Sequence, residues 1–222
     1  FYHGKLLVYL LHAQEVAYHG QKNKEKRMYN FVKTLLLLFY KIFYKVTVIN
    51  GEKIENAKGV VISGNHLSNH DPLLFPAFFD KKIRFIAKEE LFKIPFIKQS
   101  LKATGAIPIK RGTFDRAAIN SSIKLLKEGE VVGVFPEGTR SHSKELDLGQ
   151  SHNGASFIAT RAKTKIIPFA IIPSKNFRLF SEIKIVVGDE IDATSLKEEG
   201  KSHDEITAIL MQAISDIIAK EK

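Results

Sequence analysis

Cysteine and tryptophan are both absent from this 222-residue chain. Without cysteine there are no disulfides, no thiolate nucleophile and no thiolate metal site, a composition that suits a reducing compartment. Long hydrophobic runs are missing too. The apolar stretches Leu6 to Leu11 and Thr34 to Tyr40 fall well short of the roughly 20 residues that a bilayer-spanning helix needs, and no small-residue cleavage pattern follows the first of them. No Gly-rich P-loop with a Lys-Ser/Thr ending occurs, which removes support for ATP hydrolysis. Gly-x-Ser-x-Gly is absent as well, so Ser68 does not sit on a nucleophile elbow. Nor is there an internal repeat, long linker or low-complexity tail to act as a nucleic-acid arm.

What the chain does carry is positive charge and phenylalanine. Lys and Arg number 34 against 24 Asp and Glu, a formal +10 with His neutral. An excess of that size predicts an anionic partner: a phospholipid surface, an acidic small substrate or nucleic acid. Of the 16 phenylalanines, many stand beside basic residues, as in Phe39-Tyr40-Lys41-Ile42-Phe43-Tyr44-Lys45 and Leu91-Phe92-Lys93-Ile94-Pro95-Phe96-Ile97-Lys98. Basic stems with bulky apolar neighbours suit the headgroup boundary of a bilayer; aromatics stacking on bases are the rival reading.

Length favours one domain with a small appendage. Residues 1–44 read as an N-terminal helical membrane-associating segment, with residues 1–27 an atypical extension before a cleaner pattern that starts at Met28. From Met28 to Tyr44 the pattern predicts a partly inserted interfacial helix, with Lys33, Lys41 and Lys45 near one face; an ordinary core helix with snorkelling lysines is the alternative. Residues 45–222 form the second unit. Strands are expected at Lys45–Ile49, Val60–Ser63, Ile83–Ala87, Ala106–Ile109, Val131–Phe135, Ile166–Ile172 and Ile183–Val187. Helices are expected at Leu73–Phe79, Phe96–Ala103, Phe114–Lys127, Gly154–Ala162 and Asp204–Lys220. That alternation predicts an α/β fold: a mixed, largely parallel sheet flanked by helices.

Three polar segments interrupt this pattern. The heptapeptide Asn65-His66-Leu67-Ser68-Asn69-His70-Asp71 follows an apolar run, with Gly64 read as a flexible opening into a loop. Asp71 folded back onto one imidazole nitrogen would leave the other to take a proton from a hydroxyl. The same spacing also fits a turn in which Asp71-Pro72 merely begins a helix. Metal binding by His66 and His70 is disfavoured, because Leu67 stands where a metalloprotease helix needs Glu and no third ligand has a matching spacing. After the strand at Val131, Pro136-Glu137-Gly138-Thr139-Arg140-Ser141 offers hydroxyl donors and a guanidinium that can grip phosphate; a strand-turn salt bridge is the plainer reading. Lys110-Arg111-Gly112-Thr113 is the third, since strand ends in an open sheet could bring Arg111 near Arg140 and His66.

Taken in order, these peptides resemble the glycerolipid acyltransferases, and among them the bacterial 1-acyl-sn-glycerol-3-phosphate acyltransferases. The likeness runs from about Met28 to Ile191. Its blocks are Asn65 to Asp71, then Phe85-Ile86-Ala87-Lys88-Glu89-Glu90-Leu91-Phe92-Lys93-Ile94-Pro95, then Gly105-Ala106-Ile107-Pro108-Ile109-Lys110-Arg111, then Phe135-Pro136-Glu137-Gly138-Thr139-Arg140-Ser141, and finally Ile166-Ile167-Pro168-Phe169-Ala170.

The resemblance implies acyl transfer from acyl-CoA or acyl-acyl carrier protein to the 2-hydroxyl of 1-acyl-sn-glycerol 3-phosphate, giving phosphatidic acid. It implies His66 as general base and Asp71 as its orienting partner. Arg111, Glu137, Gly138, Thr139 and Arg140 would hold the acceptor phosphate, with Asn65, Lys110, Ser141 and Pro168 in supporting or pocket-shaping places. No metal or redox cofactor is implied. The expected partners are lysophosphatidic acid, the acyl thioester and an anionic membrane, met at the cytoplasmic face as a peripheral or monotopic protein; nucleic acid is not among them. One departure stands out: relatives often carry Phe-Lys-x-Gly where this chain has Ser151-His152-Asn153-Gly154, which leaves His152 as the local basic group. A non-catalytic protein that binds anionic lipid is the competing function, and it leaves the ordered blocks unexplained.

Overall fold

Among the described residues, buried β-branched and aromatic runs punctuated by Gly and Pro produce seven strands, and their order is β1-β7-β6-β2-β5-β3-β4. The computed structural model describes residues 23–24, 26–68, 71–110, 115–136, 153–174 and 177–221. A helix over 26–43 (α1) leads into β1 (Lys45–Ile49), α2 (Glu52–Glu55), β2 (Val61–Gly64), α3 (Asp71–Phe78) and β3 (Ile83–Lys88). A short 3₁₀ turn at Glu89–Lys93 then precedes α4 (Pro95–Thr104), β4 (Ile107–Ile109), α5 (Arg116–Lys127), β5 (Val131–Val134) and α6 (Gly154–Ala162). The chain finishes with β6 (Ile166–Pro173), β7 (Glu182–Val187), α7 (Ala193–Glu198) and α8 (His203–Glu221). Every ladder is parallel except β6 with β7, so the sheet is mixed and largely parallel, as the alternating pattern predicts.

Strands covered on both faces read as continuous apolar runs. β2 and β5 are buried at every position, and β6 at every position but its last. On one face Tyr40, Ile54, Leu74 and Phe75 from α1, α2 and α3, with Tyr44 and Phe79 just past the ends of α1 and α3, pack on Ile62, Phe85, Ile167 and Phe169. On the other, Ala118, Leu126, Ile158, Ala159, Leu210 and Ile214 from α5, α6 and α8 pack on Val61, Val132, Ile166 and Ala170. Burying each large side chain removes apolar surface worth about 1.5–3 kcal/mol.

Helix α1 presents two different faces. Tyr40 and Tyr44 enter the core, whereas Phe31, Leu35, Leu38 and Ile42, spaced four, three and four residues apart, point outward. Lys33 does not share that outward face: its ammonium pairs with Asp80 and donates to the Phe79 carbonyl at 3.1 Å. Lys45 pairs with Glu182 at 2.5 Å. The lysine cluster expected near one face is therefore split, and Lys41 is the exposed member on the helix.

Pro168 stands inside central β6, where a missing N–H would ordinarily break a ladder. The neighbouring chain accommodates it with a bulge. Ile166 exchanges both backbone hydrogen bonds with Ile191, and regular pairing resumes at Phe169 opposite Val187, so Ile167 and Pro168 face the three residues Gly188, Asp189 and Glu190. The Pro168 carbonyl still accepts from Gly188 N at 2.8 Å.

Candidate active site

β2 is the middle strand of the seven. From its C-terminal end the chain turns into α3 on one face, while the chain leaving adjacent β5 reappears as α6 on the opposite face. Adjacent strands whose connections diverge in this way open a crevice at the carboxyl edge, the place where α/β sheets bind ligands. His66 and Phe135 lie just beyond the ends of these two strands.

The backbone fixes where His66 emerges. Asn65, 1% exposed, donates from Nδ2 to the Ile171 carbonyl at 2.9 Å and accepts from Ile171 N at 2.8 Å. Its side chain thus imitates a backbone amide and continues the β2–β6 ladder after the main chain has left it. Ser63 Oγ donates to the Val134 carbonyl at 2.7 Å, tying β2 to β5 beside the same exit.

His66 Nδ1 lies 2.8 Å from Asp71 Oδ2. That oxygen also accepts Leu67 N at 2.6 Å and Ser68 N at 2.8 Å, and the Asp71 side chain is fully buried. An ionised carboxylate only accepts, so in the neutral ring Nδ1 carries the hydrogen and Nε2 keeps the lone pair. Asp71 also opens α3, with Pro72 next, a place where the missing N–H costs nothing. The two readings of the heptapeptide, imidazole partner and helix start, are one arrangement. Tyr40 of α1 borders the same region: burial, then the Asp71 charge, then Tyr44 push its phenol pKa well above the ordinary value.

The floor of the crevice is a set of aromatic rings. Phe135 stacks on His66 with centroids 4.2 Å apart, and on Phe85 at 5.2 Å. Phe169 meets Phe135 edge-on at 6.0 Å and Phe75 at 4.8 Å. Two glycines make the room. Gly133 lies opposite Phe85 in the β3–β5 ladder and Gly64 opposite Phe169 in β2–β6; a Cβ at either position would run into that ring. Gly64 is therefore a strand residue selected for close approach, not the flexible hinge expected from the sequence.

Of the remaining expected site residues, Lys110 and Pro168 are among those described. Lys110 is exposed at the end of β4, with its N–H bound to Asp115 Oδ2 at 2.8 Å. β4 is three strands from β2, about 14 Å by sheet spacing. Pro168 is buried in β6 opposite Ser63; it alternates with Ile167 and Phe169, which face the aromatic floor, and so sits on the α8 side. Arg111, Glu137, Gly138, Thr139, Arg140 and Ser141 lie outside the described residues, as do His70 and His152. Among the described residues no group of three or more His, Asp or Glu is placed to hold a metal ion. Phe135, the ring that sets the imidazole plane, is the residue sequence reasoning passed over. Gly133, two positions earlier in an otherwise fully apolar strand, signals only a gap that a neighbouring ring fills, and that ring is Phe85, on which Phe135 stacks.

A base held by a buried carboxylate at the ligand edge of an α/β sheet is equipped to activate a hydroxyl for group transfer. A family model described as Acyltransferase matches residues 45–172, and the chain belongs to the acyltransferase family. It is 34% identical over 168 residues to the 1-acyl-sn-glycerol-3-phosphate acyltransferase of Bacillus subtilis, covering 74% of this chain and 82% of that one. With the Borreliella burgdorferi protein of the same name it shares 30% identity over 179 residues, 77% of this chain and 70% of the relative. The crystal structure of the 1-acyl-sn-glycerophosphate (LPA) acyltransferase PlsC from Thermotoga maritima superposes with a TM-score of 0.68 at 22% identity, covering 91% of this chain and 83% of that one. At that identity the likeness concerns the fold.

Proposed function

We propose that this acyltransferase moves an acyl chain from acyl-CoA or acyl-acyl carrier protein to the 2-hydroxyl of 1-acyl-sn-glycerol 3-phosphate, giving phosphatidic acid. The observation that carries the reading is the 2.8 Å contact between His66 Nδ1 and buried Asp71. His66 Nε2 takes the hydroxyl proton as the oxygen attacks the thioester carbonyl. The tetrahedral intermediate then collapses, the C–S bond breaks, and the thiolate recovers the proton from the imidazolium. Asp71 holds the ring and offsets the charge it acquires. The thioester supplies the activated carbon, so the step needs no nucleotide. Arg111 and the segment Glu137, Gly138, Thr139 and Arg140 are assigned to the acceptor phosphate on the strength of the ordered blocks they belong to.

The same reading places the protein on the cytoplasmic face of a membrane through α1. Its outward stripe, with Phe31 and Ile42 each 61% exposed, suits insertion at the headgroup boundary, and among the described residues no helix is long and apolar enough to cross a membrane. The assay is release of free thiol and the mass of the product with 1-acyl-sn-glycerol 3-phosphate and an acyl thioester. His66→Ala should lose nearly all turnover with the fold intact; substantial remaining activity would remove His66 as the base. A parallel series with glycerol 3-phosphate and other lysophospholipids decides the acceptor.

A further inference from the structure

The turn between β6 and β7 carries two apolar residues into solvent. Leu179 is 57% and Phe180 75% exposed, the latter the most exposed large apolar side chain among the described residues. A turn that only reverses the chain is built from Gly, Asn, Asp and Ser, which tolerate its backbone angles and water. Here Phe177 and Phe180 adopt the left-handed region at φ 57° and 63°, a conformation that is strained for bulky side chains. Such strain persists only where surrounding contacts hold it.

Those contacts come from the end of α1. Phe180 N donates to the Phe43 carbonyl at 2.6 Å, and Tyr44 Oη donates to the Phe177 carbonyl at 3.1 Å. The Phe43 and Phe180 rings lie 6.0 Å apart. Phe43 in turn lies 5.1 Å from the ring of exposed Phe39, so the knuckle joins the apolar side of the helix through these two rings, beside the outward stripe Phe31, Leu35, Leu38 and Ile42. Single exposed apolar residues are ordinary, but a contiguous patch marks an interaction surface. Its flanking exposed cations are Lys41 on α1 and Arg178 at the tip, in a chain of formal charge +10. Anionic headgroups complement that charge, whereas a second copy would oppose it with its own.

We propose that Leu179 and Phe180 form a second point of insertion into an anionic phospholipid bilayer, separate from α1 and held at its end. The inference deepens the membrane reading given to α1. A helix lying in the surface can still roll about its axis. A wedge rigidly bonded to one end stops that roll and sets the direction in which the crevice of His66 faces the lipid.

The absence of tryptophan provides the test. F180W and, in a separate chain, I42W each give the protein one indole, in one case at the knuckle and in the other on the helix. With vesicles of phosphatidylglycerol and phosphatidylcholine bearing brominated acyl chains, F180W emission should shift to shorter wavelength and be quenched. The double variant Leu179→Ser, Phe180→Ser should partition about ten- to a hundredfold more weakly. Unchanged F180W emission in protein that sediments with vesicles overturns the proposal. Equal binding to purely neutral vesicles, or a blue shift that depends on protein concentration without vesicles, overturns it too, the latter in favour of a second copy. Quenching of F180W without quenching of I42W sustains the knuckle and discards the α1 reading; absence of all vesicle binding discards both.

Discussion

The imidazole of His66 lies on the ring of Phe135, with planes 18° from parallel. Phe135 is itself stacked on Phe85 at 13°, so the proposed base has one face pinned by two rings and one nitrogen pinned by Asp71. When the base takes a proton, the π face beneath it favours the cation by about 1 kcal/mol. Phe135→Leu should therefore lower kcat about five- to tenfold with a smaller change in KM, and Phe135→Tyr should restore most of the loss. An equal loss in the leucine and tyrosine variants would reduce Phe135 to filling space.

Asp71→Asn removes an acceptor that three hydrogens share and offers the ring an amide in its place. The wrong tautomer is then stabilised, and kcat should fall by about three to four orders of magnitude, as expected for a triad carboxylate exchanged in this way. Circular dichroism and urea titration should show that the variant still folds. Near-normal turnover would mean that His66 is oriented by something other than Asp71.

Gly64→Ala and Gly133→Ala each drive a methyl group into a buried ring. Overpacking of that kind costs about 1–3 kcal/mol, to be read from the urea midpoint at constant slope. Activity should fall further than stability, because the rings that must move carry His66. Gly154→Ala is the control: its nearest contact is an ordinary 3.9 Å from Val134, and the expected change is neutral to slightly stabilising.

Asp115 caps α5 by accepting from Ala117 and Ala118 at 3.0 and 3.1 Å, and also accepts from Lys110 N. Those backbone donors, Lys110 first and then Ala118, hold its carboxyl below the usual range. Asp115→Ala should cost about 1 kcal/mol at neutral pH. A depressed folded pKa contributes stability that is complete above the unfolded Asp value near 3.9 and is lost as pH falls through the folded value. The stability gap between wild type and variant should hold at neutral pH and narrow below about pH 4; a gap that stayed constant would assign the loss to helix propensity instead of the charged cap.

Elements that run for two or more of their own periods, about 2 residues for a strand and 3.6 for a helix, were legible because burial leaves a pattern. α6 spans Gly154–Ala162 and β1 spans Lys45–Ile49, the ranges their apolar residues predict. The short helices α2 and α7 and the 3₁₀ turn after β3 were not, since four to six residues are too few for a period to show. In the site, the pairing of His66 with Asp71 could be read because the two groups are only five residues apart in sequence. Phe135, Phe85 and Phe169 could not, because their meeting depends on which strands are neighbours, and β2 pairs with strands some 70 and 105 residues away. Lys33 shows the same limit: on the helix pattern it belongs with Lys41, but Asp80, 47 residues on, turns it inward.

The glycine-and-ring floor makes the orientation of one imidazole a record of how the strands were matched. Gly64 must meet Phe169 and Gly133 must meet Phe85, so a slip of one residue in either ladder would put a side chain where a ring belongs and turn alternate residues to the opposite face. A chain that collapses with native-like helix and strand content but an offset central pairing should be inactive despite its compactness. During refolding, recovery of turnover should therefore lag behind recovery of secondary structure, and acyl transfer becomes a reporter of sheet register.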